Sequence, residues 1–168
     1  MKKIIVVFVM ALLMVSCASY TIDGQKVTKE EYGQWVSQKV REGIENRQFV
    51  VSMKSMHPFR GVSRHLTSDY SFELYGDSVV SYLPYFGEVR MVPYGGSKGL
   101  NFIGRITAYE AYQVKAGLYR VIMGVYNDEE EYRYILEVFD NGSSTLDISS
   151  YNRDPISFMG EMTFDKKR

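Results

Sequence analysis

The sequence has few cysteine and histidine residues and no excess of positive or negative charge, and several kinds of protein function depend on these features. It contains one cysteine and two histidines in 168 residues, and its 20 basic side chains are matched by 20 acidic ones. A single cysteine excludes a disulfide within the chain. The balanced charge does not indicate a nucleic-acid partner, because such a partner is bound through an excess of lysine and arginine. No tandem repeat or low-complexity segment is present, so a repeat architecture is excluded as well.

No apolar run in the sequence is long enough to cross a bilayer, which takes about 20 residues in a helix. The longest run extends from Ile4 to Val15 and follows Lys2 and Lys3. A basic start followed by a short apolar core is typical of a secretory signal peptide. Residues 1–16 are therefore predicted to be a cleaved signal, and the mature chain is expected to be anchored rather than membrane-spanning.

The end of the signal is similar to the lipobox of bacterial lipoproteins. Residues 14–16, with the sequence Met-Val-Ser, precede Cys17, whose thiol is the expected site of lipid attachment. A lipidated Cys17 leaves no thiol for catalysis or for thiolate binding of a metal. The alternative is a signal that is cleaved without lipidation. Residues 17–27 are assigned to a lipidated tether and residues 28–168 to one folded domain.

The folded part is predicted to begin with one amphipathic helix. Thr28 and Glu31 form a T-x-x-E capping box, in which each side chain satisfies a backbone N–H group at a helix start. Apolar residues recur at intervals of three and four over residues 32–44, with Trp35 in the middle of the stripe. Such a stripe packs against another element, so a helix over about residues 29–46 is expected to dock on the rest of the domain.

After this helix the spacing of apolar residues changes from 3.6 to two, which predicts strands. There is no alternation of strand and helix of the kind that builds a parallel sheet. The expected fold class is α+β, with one N-terminal helix packed on a curved, mostly antiparallel sheet of about seven strands that curls around the helix or closes partly into a barrel. The predicted strands occupy residues 49–53, 70–74, a return strand from 79, 102–114, 118–126, 132–139, a strand around 146–148, and 156–164.

Glycines mark the turns and one irregularity of this sheet. Gly76 and Asp77 make the first hairpin turn. Asn141 and Gly142 carry the strongest hairpin signal, because Asn-Gly tolerates the two positive φ angles of a type I′ turn. Gly160 interrupts the last strand and is expected to form a β-bulge.

Candidate catalytic and metal-binding groups are few. His57 and His65 are eight residues apart, so they cannot form the i, i+4 pair of a helical metal site. Glu73, Glu88 and Glu110 are the weak candidates for a mechanism with paired carboxylates. The acidic run NDEEE at 127–131 is expected to be a solvated connection. No catalytic residue, metal or cofactor is predicted.

The strongest candidate for a functional site is the stretch SYLPYFG at residues 81–87. Pro84 cannot donate to a strand ladder, so the chain must break or border the sheet there. Leu83 and Phe86 are expected to pack inward, and Gly87 permits the bend. The expected rim, a candidate binding site for a ligand or a partner, comprises Tyr82, Tyr85, Arg90, Tyr94 and Lys98.

Four stretches together resemble one known family: SYLPYFG at 81–87, a glycine pair followed by GLNF at 95–102, DNGSSTLDISS at 140–150, and NRDPISFMGEM at 152–162. They resemble the domain of unknown function numbered 4251, found in small lipoproteins and secreted proteins of Bacteroidetes bacteria. The resemblance spans about residues 30–165 and implies an envelope address, an α+β fold and no established activity. The positions that it singles out for the shared fold or site are Leu83, Pro84, Tyr85, Phe86, Gly87, Gly142, Arg153 and Gly160.

The resemblance implies two further expectations about the exported protein. Asp77-Ser78-Val79 is similar to the sequence at which these bacteria O-glycosylate exported proteins, which makes Ser78 a candidate site, and the alternative is a plain hairpin turn. Display at the cell surface in this group is associated with an acidic signal directly after the acylated cysteine. Only Asp23 is present there, so an anchor that faces the periplasm is expected.

The function expected from these observations is that of a non-enzymatic envelope lipoprotein that binds a protein partner or an apolar small ligand. The alternatives are an envelope hydrolase that uses paired carboxylates, and an extracytoplasmic inhibitor or assembly module that presents a sheet edge. A buried carboxylate pair with raised pKa in a polar cleft would favour the enzyme. An apolar cavity or an exposed tyrosine face would favour binding.

Replacing Cys17 with Ser removes the thiol that the lipid would modify. We expect the Cys17→Ser protein to leave the membrane fraction for the soluble one, or to remain unprocessed, because no lipid then holds the mature chain. Cell fractionation followed by immunoblotting measures both properties. Normal processing combined with continued membrane attachment would show that Cys17 is not the anchor.

Overall fold

A computed structural model describes residues 20–22, 24–90 and 99–164 of the chain. The predictions for Cys17, Tyr94 and Lys98 concern residues outside these ranges. Contacts along the backbone divide the chain into two compact units, with the boundary between Gln34 and Trp35. None of the helical segments described has the length and apolar character that a membrane span requires.

The first unit contains a short hairpin. Strands β1 (Tyr20–Ile22) and β2 (Gln25–Val27) pair in antiparallel register, and the ring of Tyr20 lies 5.1 Å from that of Tyr32. This hairpin falls within residues 17–27, which the sequence analysis assigns to a tether.

The predicted helix is confirmed as α1 (Lys29–Glu45). Its capping box closes as expected, since the N–H of Thr28 donates to the Glu31 carboxylate at 2.8 Å and the N–H of Glu31 donates to the Thr28 hydroxyl at 3.2 Å. The two bonds satisfy backbone donors that the helix itself leaves free.

The apolar stripe of α1 is also confirmed over the part of the helix in the second unit. Val36, Val40 and Ile44 are buried. Trp35 is half-buried and packs edge-on against Phe164, with the ring centres 5.7 Å apart. The helix is therefore held by aliphatic contacts along its stripe and by one aromatic contact near its middle.

Eight antiparallel strands of the second unit close into a barrel, and one short strand adds to it. Each strand pairs with the next, and the last returns to pair with the first, in the order β3, β5, β6, β7, β8, β9, β10, β11. The closed barrel has eight strands and the sheet, with β4, has nine, whereas about seven were predicted, and the barrel closes completely. The strands are β3 (Gln48–Pro58), β4 (Arg64–His65), β5 (Ser71–Tyr75), β6 (Ser78–Leu83), β7 (Leu100–Lys115), β8 (Leu118–Tyr126), β9 (Glu131–Phe139), β10 (Ser143–Ser150) and β11 (Ile156–Thr163).

The barrel is filled by its own side chains. The rings of Phe72 and Tyr134 stack with centres 5.3 Å apart, and both residues are fully buried, as are Leu74, Leu136 and Phe158. Interiors of eight-stranded barrels are wide enough to be filled in this way. A ligand is therefore better accommodated at an end or on the outside of this barrel than in its interior.

The two ends of the barrel carry different connections. At one end lie the tight turns at 76–77, 116–117 and 140–142 together with residues 35–45 of α1. At the other end, which we call the loop end, lie the longer connections 59–63, 84–90, 127–130 and 151–155. The predicted site residues 82–90 therefore belong to the loop end.

The hairpin predicted at Asn141 and Gly142 is confirmed, but its turn type is different. Only Gly142 has a positive φ, of 84°, and its N–H donates to the carbonyl of Phe139 at 2.8 Å. A three-residue loop with one left-handed glycine joins the strands, instead of the two-residue type I′ turn, which needs two positive φ angles.

The β-bulge predicted at Gly160 is confirmed. The register of β11 against β3 shifts between Met159 and Gly160. A Cβ atom at position 160 would overlap the carbonyl oxygen of Ser52 and would lie 3.1 Å from the Cα atom of Met53. The backbone of β3 leaves no space for any side chain there.

Gly160→Ala is expected to destabilise the protein, because the methyl group meets backbone that cannot move aside. Overpacking of this kind costs about 1–3 kcal/mol or more. The control is Gly33→Ala, since Gly33 lies in α1 with nothing within 4 Å of the added atom, and alanine stabilises a helix by up to about 1 kcal/mol relative to glycine. Chemical denaturation measures both, and shifts of the same sign would contradict the structural account of Gly160.

Candidate functional site

Two connections of the loop end are joined by backbone hydrogen bonds. The N–H of Arg90 donates to the carbonyl of Asn152 at 2.8 Å, and the N–H of Asp154 donates to the carbonyl of Glu88 at 3.1 Å. These bonds form a short antiparallel bridge, which we call the clasp. The stretches SYLPYFG and NRDP, far apart in sequence, therefore meet at one place.

Tyr85 holds the clasp together through its hydroxyl. The oxygen lies 3.0 Å from the carbonyl of Glu88 and 3.1 Å from that of Asp154. Burial raises the pKa of Tyr85, with the nearby Asp154 carboxylate adding to the effect, so the phenol stays protonated as a donor. A Cβ atom on Gly87 would lie 2.6 Å from this hydroxyl, which explains the glycine there. Tyr85, which the sequence predicts at the edge of a binding site, thus makes its hydrogen bonds within the clasp.

Arg90 also contributes to the clasp. Its guanidinium donates to the carbonyl of Tyr151 at 2.7 Å and lies 3.8 Å from the carboxylate of Asp154. The Asp154 side chain is only 7% exposed, so this cation stands beside a nearly buried anion. The expected availability of Arg90 for an anionic ligand is therefore reduced by its contacts within the chain.

A buried ion pair lies directly beneath the clasp. The Nε atom of Arg153 donates to the carboxylate of Glu130 at 2.5 Å, and the two side chains are 3% and 9% exposed. The hydroxyl of Tyr132 donates to the same carboxylate oxygen at 2.8 Å. Burial alone would raise the pKa of Glu130, but the hydrogen bonds from Arg153 and Tyr132 outweigh it and hold the pKa below its usual value.

Glu130 is the site residue that sequence reasoning missed. It belongs to the acidic run at 127–131, which was predicted to be a solvated connection, and for Glu130 this prediction is wrong. The carboxylate turns inward because the buried guanidinium of Arg153 requires an anion beside it. The only signal in the sequence was the arginine of NRDP, which the family resemblance marked without indicating a partner.

Above the ion pair, aromatic and arginine side chains stand exposed. The guanidinium of Arg64 lies 4.5 Å from the ring centre of Phe86, and that of Arg60 pairs with Glu88 at 3.1 Å. These contacts connect the 59–64 segment to the clasp. We call the exposed set the rim, and it comprises Phe59, Arg60, Val62, Arg64, Phe86 and Tyr151.

Leu83 and Phe86 were both expected to pack inward, and the structure confirms this for Leu83 alone. Leu83 packs inward as predicted, with 3% of its surface exposed, because it is still paired in the ladder opposite Leu100. The inward prediction for Phe86 is wrong, since 44% of its surface is exposed. Phe86 follows Pro84, where the ladder has ended, and the clasp turns it outward toward Arg64.

A cavity of about 460 Å³ opens beside the clasp. Tyr70, Tyr82 and Tyr85 contribute rings to its lining, and Asn101 and Arg153 contribute polar groups. The rings of Tyr70 and Tyr82 pack with centres 5.3 Å apart, and Tyr82 is 45% exposed. Tyr82 therefore stands at the edge of an opening, as the sequence predicts.

The carboxylates considered for catalysis lie on separate elements. Glu73 accepts hydrogen bonds from hydroxyls on its own strand β5, Glu88 pairs with Arg60, and Glu110 is exposed on β7. Among the described residues no contact joins two of these three glutamates. The observed arrangement therefore does not bring them together as the pair that a hydrolase mechanism needs.

The two histidines lie outside any cluster of metal-binding groups that the structure describes. His57 contacts the hydroxyl of Ser63 at 2.6 Å and that of Ser55 at 3.3 Å, and His65 belongs to the short strand β4. Within residues 20–22, 24–90 and 99–164, no group of three or more His, Cys, Asp or Glu side chains is placed to hold a metal ion.

Ser78 is exposed at the start of β6, next to the hairpin turn. The preceding Asp77 pairs with Arg47 at 3.1 Å. The exposure is compatible with the O-glycosylation expected from the family resemblance, and the modification itself stays a prediction.

Comparison with known proteins identifies a family and a solved structure with a similar fold. The family model described as domain of unknown function (DUF4251) matches residues 31–162. A crystal structure of a DUF4251 family protein from Bacteroides eggerthii DSM 20697 matches with a TM-score of 0.61 and 12% identity, over 80% of this chain and 91% of that chain. At this identity the match shows a shared fold. No curated protein is significantly similar to this chain.

Breaking the buried ion pair is expected to destabilise the protein strongly. Arg153→Met leaves the Glu130 carboxylate buried without its cation, which costs about 3–5 kcal/mol. Adding Glu130→Gln should recover a large part of this loss, because the uncompensated charge is then gone. Urea denaturation at pH 7 of the two single variants and the double variant measures the coupling.

The matched control is the pair of Arg120 and Glu137 on the outside of the barrel, whose side chains are 37% and 31% exposed. Because solvent screens this pair, Arg120→Met is expected to cost less than about 1 kcal/mol. Similar losses for Arg153→Met and Arg120→Met would contradict the assignment of Arg153 and Glu130 as the anchor of the loop end.

Proposed function

The chain belongs to the DUF4251 family, and we propose that it is a non-enzymatic binding module of the bacterial cell envelope that binds a partner protein through its loop end. The observation that carries the proposal is the rim, where exposed aromatic and arginine side chains stand together on connections that are tied to one another. The barrel beneath supplies a rigid support, because its interior is packed.

The composition of the rim supports a protein partner. Aromatic residues and arginine are enriched where proteins bind one another, and they account for most residues whose truncation weakens binding. Phe59 is 64% exposed, Tyr151 is 85% exposed, and Phe86 lies beneath the guanidinium of Arg64. Single exposed apolar residues are common on protein surfaces. The proposal therefore rests on their occurrence, together with arginine, on connections that the Arg60–Glu88 pair and the clasp join.

The clasp supports the proposal because it orders the rim before binding. The hydroxyl of Tyr85, the guanidinium of Arg90 and the carboxylate of Asp154 each join the two connections. Loops that are already ordered lose less conformational entropy on association, so more of the contact energy appears as affinity.

A small apolar ligand is the second candidate, and the cavity beside the clasp favours it. Its volume of about 460 Å³ and its lining by Tyr70, Tyr82 and Tyr85 suit a ligand with a planar apolar group. Native mass spectrometry of the protein purified from its own envelope separates the candidates. A bound small molecule that is lost from Tyr82→Ala would favour the ligand over the partner protein.

The proposed location is the periplasmic side of the envelope, with the lipid on Cys17 as the anchor. This part of the proposal rests on the sequence of the first 17 residues and on the family resemblance. The membrane is then contacted through the lipid, and the loop end remains available to a partner protein.

Site-specific photo-crosslinking in living cells tests the proposed binding face. A photoreactive amino acid in place of Tyr151, at the loop end, is expected to give one specific adduct. The same amino acid in place of Phe139, which is exposed where β9 reaches the other end of the barrel, is expected to give none. Truncation by Phe86→Ala should reduce the Tyr151 adduct by about tenfold or more, as removal of a central interface residue does.

The matched control for Phe86→Ala is Met159→Ala, because Met159 is 51% exposed on β11, outside the rim. This variant should leave the adduct unchanged. Equal adducts from the Tyr151 and Phe139 positions, or an adduct that both alanine variants reduce equally, would show that the loop end is not the binding face.

A further inference from the structure

The hairpin of β7 and β8 extends beyond the closed part of the barrel and leaves one strand edge open. β7 pairs with β6 over residues 100–105 and with β8 over residues 105–115. The last bond on the β6 side runs from the N–H of Ile106 to the carbonyl of Asp77, at 2.8 Å. Beyond it, none of the described residues pairs with β7 on the side away from β8. We call residues 107–115 the open edge.

The open edge has few of the features that keep strand edges from pairing. It contains no proline, and all its residues are exposed except the half-buried Tyr109. Its length exceeds that of a typical whole strand, which is about five or six residues. The two register irregularities lie after Ile106 and after Gln113, so residues 108–113 pair regularly with β8. Edges of this kind are templates for an added strand.

A groove lies beside the open edge, between α1 and the hairpin. It has a volume of about 450 Å³. Its lining comprises Arg41, Arg47, Tyr109, Ala111, Gln113 and Tyr119, together with Ile44, Glu45 and Tyr112. The small side chain of Ala111 leaves space at its centre. The groove carries the guanidinium groups of Arg41 and Arg47 and the carboxylate of Glu45. Arg47 also pairs with Asp77 at 3.1 Å, and because the Asp77 side chain is 78% exposed, solvent screens this pair.

The walls of the groove are held in place by contacts across it. The hydroxyl of Tyr109 donates to the carbonyl of Ile44 at 2.8 Å, and the guanidinium of Arg47 lies 4.4 Å from the centre of the Tyr109 ring. Burial raises the pKa of Tyr109 to about 12, so this hydroxyl remains a donor at neutral pH. Arg47 occupies a left-handed conformation with φ of 52°, which is uncommon for a residue other than glycine.

We propose that the open edge binds an extended acidic segment of a partner protein as an added strand, with carboxylate side chains of that segment facing Arg41 and Arg47. The exposed backbone groups of the edge are satisfied by another extended chain. Alternate side chains of an added strand point to the same face, so every second residue of the segment faces the groove.

A second copy of this chain fits the edge less well than an acidic segment. Residues opposite one another in a sheet share a face, and Tyr109 lies opposite the buried Met123. Glu110, the one acidic residue of the open edge, lies on the other face. In a symmetric pair of open edges it would therefore point away from Arg41 and Arg47.

Selection from a displayed library of random peptides of about nine residues, on the purified mature chain, tests the proposal. We expect the enriched peptides to carry Asp or Glu at alternate positions. The double variant Arg41→Gln/Arg47→Asn should bind such a peptide at least about tenfold more weakly, because both cations are lost, and asparagine tolerates the left-handed conformation at position 47. Fluorescence anisotropy measures the affinities.

Two controls separate this surface from the rim and from a general charge effect. Lys54→Gln removes a cation on β3 that pairs with Glu161 on β11, and neither residue lines the groove. Phe86→Ala changes the rim. Both should leave peptide affinity unchanged. Hydrogen exchange should show amide protection over residues 107–115 when the peptide binds.

Three outcomes would overturn the proposal. The first is no enrichment of acidic peptides, and the second is equal affinity for the wild type and the Arg41→Gln/Arg47→Asn variant. The third is sedimentation of the free protein as a dimer whose open edge is protected from exchange, since a second copy would then be the occupant.

Discussion

The pairing of β11 with β3 is the contact on which the rest of the structure depends. It extends from Ile156 opposite Pro58 to Thr163 opposite Val50, and it converts an open sheet into a closed barrel. Closure gives nearly every strand two neighbours, so backbone donors and acceptors are satisfied without solvent. It also encloses a space that the side chains of the strands fill. Gly160 is needed at this seam, because the backbone of Ser52 occupies the position that a side chain would take.

Because side chains fill the interior of the barrel, a partner or ligand can bind only at its ends or at its projecting parts. At the loop end, the buried pair of Arg153 and Glu130 ties two connections to the barrel, and the clasp joins a third connection to them. A buried ion pair is a weak source of stability compared with apolar packing of the same volume. Here the pair fixes the position of the connections. Because the Arg153 guanidinium must lie beside the Glu130 carboxylate, the two connections that carry these residues can adopt few arrangements. The rim stands on this arrangement.

The two proposed binding surfaces differ in the physical means of recognition. The rim presents aromatic and guanidinium side chains, so its specificity would come from side-chain shape and charge. The open edge presents backbone groups beside a groove that contains Arg41 and Arg47, so its affinity would come from strand hydrogen bonds and its specificity from alternate side chains. They lie on different parts of the barrel, and a module that carries both is suited to joining two partners.

By itself, the sequence determined the features that depend on near neighbours in the chain: the capped helix, the strands, the hairpin at Gly142 and the bulge at Gly160. Capping, alternation and glycine conformation act within a few residues, so a sequence shows them directly. The tertiary structure decided closure of the barrel, the outward position of Phe86 and the burial of Glu130. These depend on contacts between distant residues, such as Tyr85 with Asp154, 69 positions apart, and Arg153 with Glu130, 23 positions apart. Whether a charge is buried depends on where its partner lies, and only the folded chain brings the two together.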